Sequence, residues 1–175
     1  MRLDRRSQAS NDSTLAAEWL ETDMPIYRVL EPRFDRLGNH VIVIGFRALG
    51  RLVAGRAHEA GEQVVVVDRG DDLAAQASDL GYLVVRGDAG VDDAVLDRSG
   101  LVQARALVVT TEDPDRKLPI TLMAHSRNPK LKITVTGANS PRGALLHRAG
   151  ASEVVITDEL IAGALVDRLG KGESA

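Results

Sequence analysis

HVIVIGFRALGRLVAGRAHEAGEQVVVVD, residues 40–68, decides the fold of this 175-residue chain. An apolar run, Val41 to Ile44, enters Gly45-Phe46-Arg47-Ala48-Leu49-Gly50. An apolar-striped helix then carries the chain to Gly61, and Gln63 to Val67 delivers Asp68. Strand, glycine-marked turn, helix and a second strand ending on an acid outline a nucleotide-binding βαβ unit, in which GxGxxG is the usual fingerprint. Its glycines have separate jobs. Gly45 permits the tight turn and Gly50 lets the helix pack closely on the sheet, but Arg47 stands where bare backbone would meet a pyrophosphate. The helix N-terminus behind Arg47 still offers N–H groups and a positive dipole end, so the guanidinium can act as an added clamp on an anion. The opposite outcome is equally physical: Arg47 fills the cleft, or pairs with Asp68, and mimics the ligand.

The same alternation continues to the C-terminus. Strands are expected at His40–Ile44, Gln63–Val67, Leu83–Arg86, Ala106–Thr110, Lys132–Thr136 and Glu153–Ile156. Helices are expected at Leu49–Ala60, Asp71–Leu80, Asp92–Arg98, Arg116–Arg127, Pro141–Ala149 and from Asp158 to about Leu169. Six βα units in sequence predict an α/β, Rossmann-like, doubly wound sheet of six mainly parallel strands with helices on both faces. Residues 1–38 differ in character, being polar from Arg5 to Asn11, with Pro25, Pro32 and one short helical candidate at Ser13–Glu21 carrying Leu15 and Trp19. They read as a linker or accessory arm, residues 39–170 as one nucleotide-binding domain, and residues 171–175 as a tail.

Composition narrows the function classes. A content of 44% hydrophobic residues suffices for one well-buried core, and a net charge of −3 gives no basic surface for nucleic acid. With no cysteine and four dispersed histidines, thiolate chemistry and a metal cluster have no support. No apolar run approaches the ~20 residues of a membrane span and no signal-peptide core follows Met1, so the chain reads as soluble and cytoplasmic.

Ligands of such sheets bind outside the carboxyl ends of the strands at the switch point. Four strand ends make one candidate site: Gly45 to Gly50, Asp68-Arg69, Gly87-Asp88-Ala89, and Thr110-Thr111-Glu112-Asp113. Asp68, about 20 residues beyond the glycines, is placed to accept from a ribose 2′-OH, although an acid can also simply end a strand. On chemistry alone, Gly87-Asp88 reads as a turn capping the helix near Val91, and Thr110 to Asp113 before Pro114 as an N-cap cluster.

Further stretches carry a more specific likeness: RGDAGVDDAVLDRSGLVQARALVVTTEDPD at 86–115 and RNPKLKITVTGANSPRGALLHRAGASEVVITDELIAGALVDRL at 127–169. With VIVIGFRALG and VVVVD, they resemble the RCK domain, also called KTN or the TrkA N-terminal domain, the cytoplasmic regulator of potassium channels and transporters. The resemblance implies phosphates at Gly45–Gly50, a ribose at Asp68, the base at Asp88-Ala89, and the remaining sugar or phosphate edge at Thr110-Thr111. Two positions depart from the family: Arg47, and Lys117, where asparagine is common. Both add positive charge near the proposed cleft, so ADP, ATP or AMP stands beside NAD(H) as the expected ligand. The resemblance also implies a homodimer or higher ring, with a potassium channel or transporter membrane subunit as partner, fused or separate, at the inner face of the membrane. The chain stops soon after the sixth helix, without the smaller C-terminal lobe of many members, and so is expected to be a short regulator or the cytoplasmic part of a longer membrane protein.

The function expected is a nucleotide-sensing regulatory domain that gates potassium transport, not an enzyme. No catalytic residue is assigned, since His125 and His147 fall on helices away from any substrate pocket. A ligand-free assembly domain of a gating ring and a cofactor domain of an NAD-dependent oxidoreductase are the alternatives. Ile161, Ala164, Leu165 and Leu169 form an apolar stripe on the last helix, fit either to pair subunits or to pack back on its own sheet.

Overall fold

A computed structural model describes residues 37–137 and 140–170. The arm and its helix at Ser13–Glu21 lie outside the described residues except for Leu37 and Gly38, as does the tail 171–175. Leu37, assigned by sequence to the arm, is buried in the core.

Among the described residues twelve elements alternate: β1 (Val41–Ile44), α1 (Ala48–Glu59), β2 (Val64–Asp68), α2 (Asp71–Asp79), β3 (Leu83–Arg86), α3 (Asp93–Arg98), β4 (Ala106–Val109), α4 (Pro114–Arg127), β5 (Lys132–Gly137), α5 (Ser140–Arg148), β6 (Glu153–Ile156) and α6 (Thr157–Gly170). The strands pair in the order β3-β2-β1-β4-β5-β6, every pair parallel. The expected doubly wound sheet is therefore present, and its order reverses between β1 and β4. Boundaries differ from expectation by a residue or two. The largest difference is the start of α4, where Asp113 caps the helix by accepting the Asp115 N–H at 3.1 Å and Pro114 takes the first helical position, which needs no N–H. α3 is capped by Asp92 rather than by Gly87-Asp88.

The valine runs are explained by burial on both faces. Ile42 and Ile44 point to the face covered by α3, α4 and α5, and share one core cluster with Val95, Leu96, Ile120 and Leu146. Val41 and Val43 point the other way, onto a layer containing Ala54 of α1 and Ala77 of α2. Phe46, fully buried, joins that second layer and meets the Tyr82 ring edge-on at 5.7 Å. α6 differs from the other helices: Leu160, Ile161, Leu165, Val166 and Leu169 are all more than half exposed, so its apolar side is not packed back onto the sheet.

At the opposite edge from the strand ends, His40 is fully buried. Its Nε2–H donates to the Ser99 carbonyl at 2.9 Å, while Nδ1 has no partner among the described residues. Burial pulls its pKa below the ordinary 6.5, against the opposing effect of the Ser99 bond. A depressed pKa in the folded state means that the unfolded chain takes up the proton first. The stability His40 confers is thus present above about pH 6.5 and lost as pH falls through the folded value. Urea midpoints measured from pH 7.5 down to 5 should fall for the native chain and fall less for His40→Gln.

Candidate functional site

The switch point is built around a close approach of three backbone segments. Gly45 has φ of 95°, and a Cβ there would sit 2.9 Å from the Thr111 backbone. A Cβ at Gly50 would overlap the Gly45 carbonyl oxygen outright and lie 2.8 Å from Thr110 Oγ1. The Thr110 hydroxyl reaches across from β4 to the Ile44 and Gly45 carbonyls, at 3.0 and 2.8 Å. Both flanking glycines of the fingerprint are thereby accounted for by packing of the turn, the first turn of α1 and β4. Thr110 spends its hydroxyl on this joint.

Above it opens a cleft of about 450 Å³ over the ends of β1 to β4. Asp68, 8% exposed, forms its inner wall. One carboxylate oxygen accepts the Phe46 N–H at 2.7 Å and the other the Gly70 N–H at 2.8 Å, which fixes the group while leaving each oxygen a further lone pair. Gly45, Arg47, Arg69, Gly87, Asp88 and Ala89 line the cleft, as do Thr110, Thr111 and Glu112. Phe46, Ala48, Leu49 and Gly50 do not: Phe46 turns into the core, Gly50 is buried under the turn, and Ala48 and Leu49 face outward from α1.

Charge is arranged in two groups. Arg47 does not reach Asp68. Its Nε lies 3.5 Å from Glu112, with 67% and 66% of the two side chains exposed, so the pair spans the cleft mouth from the glycine turn to the β4 end. An ion pair this exposed contributes little, and an incoming anion can compete for the guanidinium. Deeper in, Arg69 and Arg116 share Asp88 and Asp113 in a closed alternating ring: Arg116 lies 3.2 Å from Asp88 and 3.4 Å from Asp113, Arg69 3.6 and 3.8 Å from the same two carboxylates. Asp88 Oδ1 also accepts the Gly90 N–H at 3.0 Å, closing the β3 turn. Two cations against two anions leave the ring neutral while tying together the ends of β2, β3 and β4.

Sequence reasoning missed Arg116, and a signal existed. A cation in the first turn of a helix opposes the dipole and calls for a local partner, which Asp113 and Asp88 supply. Lys117 needs a correction. Its Nζ donates to the Thr136 carbonyl and hydroxyl at 2.7 and 3.1 Å, on the side of α4 facing β5 and α5, so its charge is not in this cleft. His125 packs against Gly150, and His147 bonds the Ala151 carbonyl at 3.1 Å. Among the described residues no metal-ligating cluster occurs, and no helix is long and apolar enough to cross a membrane.

Comparison with known proteins places this geometry. The sequence model of the TrkA-N domain matches residues 41–157. Potassium channel protein 1 of Methanocaldococcus jannaschii is 27% identical over 130 residues, covering 73% of this chain and 39% of that protein. The glutathione-regulated potassium-efflux system protein KefC of Cronobacter sakazakii is 24% identical over 154 residues, 80% of this chain and 25% of that protein. The chain thus spans well under half of these relatives. Among solved structures, the TrkA-N domain of the inner membrane protein ybaL from Escherichia coli superposes with a TM-score of 0.72 at 21% identity, over 77% of this chain and 98% of that one. The GsuK channel bound to NAD superposes at 0.64 with 26% identity, over 82% of this chain and 26% of that one, and GsuK bound to ADP at 0.63, also with 26% identity, over 82% and 37%.

The joint makes a stability prediction. Gly50→Ala should cost at least about 3 kcal/mol, because a backbone carbonyl must move to admit the methyl. Arg47→Gly, at an exposed position whose side chain makes no cap bond, should change stability by less than about 1 kcal/mol. Urea denaturation of both variants measures the contrast.

Proposed function

This chain belongs to the TrkA-N domain family, and from that premise we propose that it is a nucleotide-sensing regulatory domain that gates a potassium channel or a K⁺ transporter. The observation that carries the proposal is the cleft at the β1/β4 switch point, with a backbone-anchored Asp68 beside a glycine turn. Asp68 has free lone pairs for the hydroxyls of a ribose, and the bare backbone at Gly45 lets phosphates come close. Arg47 releases Glu112 to meet a phosphate, and the broad guanidinium of Arg69 offers a surface for the base. NAD(H), ADP, ATP and AMP are the ligands that meet these features, and GsuK, a channel bound to NAD and to ADP in separate structures, supports both classes. A 2′-phosphate would face the Asp68 carboxylate, which excludes NADP(H).

The domain acts by coupling rather than by chemistry. A bound nucleotide favours one arrangement of paired domains only through unequal affinity for the two arrangements. The exposed apolar side of α6 supports pairing into a homodimer or a higher ring, with Leu165 near its middle. Both potassium-channel and efflux-system proteins are relatives, which is why the membrane partner is given as channel or transporter. A second reading, a ligand-free assembly domain, is favoured by one observation: the Arg47–Glu112 pair and the Arg69–Asp88–Arg116–Asp113 ring already satisfy the charges of the cleft.

Thermal melting with each nucleotide separates the two. A ligand present at about 100 times its Kd adds roughly 2.7 kcal/mol of stability. The sensing reading expects stabilisation of the native chain by NAD(H) or an adenine nucleotide, no response to NADP⁺, a weaker response in Arg47→Gly and none in Asp68→Ala. No response natively, with one to NAD(H) appearing in Arg47→Gly, establishes the assembly reading instead. Sedimentation tests the pairing: the native chain should dimerise and Leu165→Asp should be a folded monomer that still melts cooperatively. A native chain that remains monomeric at high concentration removes α6 as the pairing surface.

A further inference from the structure

A second cavity, of about 220 Å³, lies between α4 and α5 beyond the end of β5. Lys117, half-buried on α4, borders it beside apolar walls from Leu118, Pro119, Leu145 and Leu146. Asp115 and Arg142, of opposite sign, are the other charged groups along it. The Lys117 Nζ donates to the Thr136 carbonyl at 2.7 Å and to the Thr136 hydroxyl at 3.1 Å. That hydroxyl gives its own proton to the Val109 carbonyl at 3.3 Å, so it faces Lys117 as an acceptor. Two neutral acceptors match the two N–H bonds of an uncharged amine, whose lone pair then points away from both. An ammonium would instead bring a charge and a third N–H among leucine and proline. Burial accordingly pulls the Lys117 pKa below the ordinary 10.5, and the charge of Arg142 adds to the effect.

We propose that Lys117 is an acyl-acceptor site: its Nζ takes a short acyl group from a thioester, and the acyl chain lies in the cavity against Leu118, Leu145 and Leu146. An amine desolvated beside an apolar pocket is a stronger nucleophile at neutral pH than one in water, because more of it is unprotonated. Its lone pair attacks the thioester carbonyl carbon, the C–N bond forms as the C–S bond breaks, and the thiolate leaves with the bonding pair. The proton lost by nitrogen passes to that thiolate, so no oxidant or reductant is required. The amide that results is neutral and keeps one N–H for Thr136, which suits the surroundings better than an ammonium. The apolar walls favour a donor whose reacting end is uncharged, as a thioester is and an acyl phosphate is not. The sequence has no cysteine, so no thiol of the chain competes for the acyl group. This site is separate from the cleft at the switch point, although α4 borders both: Arg116 faces the cleft and its neighbour Lys117 the second cavity.

The test is incubation of the full chain with S-butyryl-N-acetylcysteamine, a small thioester with no nucleotide part to enter the cleft, with acylation of each lysine followed by peptide mass spectrometry. Lys130 and Lys132, both exposed, serve as internal references. Lys117 should react at least about threefold faster than either at neutral pH. Its rate should level off below the pH 10.5 of an ordinary lysine, and its advantage should vanish in urea above the unfolding transition. Replacing butyryl by acetyl should slow Lys117 relative to the references, by up to about fourfold for each methylene removed from the cavity. Leu145→Asn, at an exposed position on α5, should abolish that chain-length preference while the melting point stays near native. If it folds poorly, Leu118→Asn repeats the measurement from the α4 wall. The proposal is overturned by Lys130 or Lys132 reacting as fast as Lys117 in the folded chain, by an advantage that survives unfolding, by the same chain-length preference at all three lysines, or by a preference unchanged in the folded variant.

Discussion

The domain depends on one contact: the Gly45 carbonyl, the backbone of Gly50 and the Thr110 hydroxyl meet with no space for a single additional carbon atom. That meeting sets how closely α1 approaches the sheet, and so how tightly Ala54 seals the layer beneath it. It also sets the separation of β1 and β4 at their carboxyl ends, which is the floor of the cleft. The buried aliphatic side chains supply most of the hydrophobic stabilisation, but they would tolerate a slightly different turn; this joint would not. The cleft is therefore a by-product of how the first helix is seated.

On that floor the side chains separate by task. Asp68 is immobilised by two backbone N–H groups and cannot change partner without exposing them. Arg47 and Glu112 lie in solvent and exchange partners at little cost. Between these extremes the Arg69–Asp88–Arg116–Asp113 ring ties three strand ends through side chains that are a quarter to three-fifths exposed. Loss of one bond of that ring would loosen the relation among β2, β3 and β4.

Much of this was legible in the sequence because it depends on local pattern. Valine runs such as 64–67 mark strands buried on both faces, Asp113-Pro114 marks a helix start, and the separate duties of the glycines allow Gly45 and Gly50 to be judged without Gly at 47. What could not be read was direction. Phe46 and Arg47 are neighbours, yet one enters the core and the other faces solvent. Arg116 and Lys117 are neighbours too, and face different cavities, a consequence of helix phase relative to two sheet edges that no spacing within α4 reveals. The Thr110 hydroxyl reads in sequence as a ligand donor, yet the β1/β4 register directs it to the Ile44 and Gly45 carbonyls. Long-range ion pairs such as Arg69 with Asp113 follow from strand order, which periodicity alone leaves undetermined.

The contrast among the three fingerprint positions bears on how such a domain evolves. Gly45 and Gly50 answer to folding, and a change at either is punished whatever the chain binds. Position 47 carries no such packing constraint, since its side chain points into water, pairs with the exposed Glu112 and holds no cap bond. Substitution can therefore concentrate at position 47, where a change leaves the scaffold's stability reserve untouched.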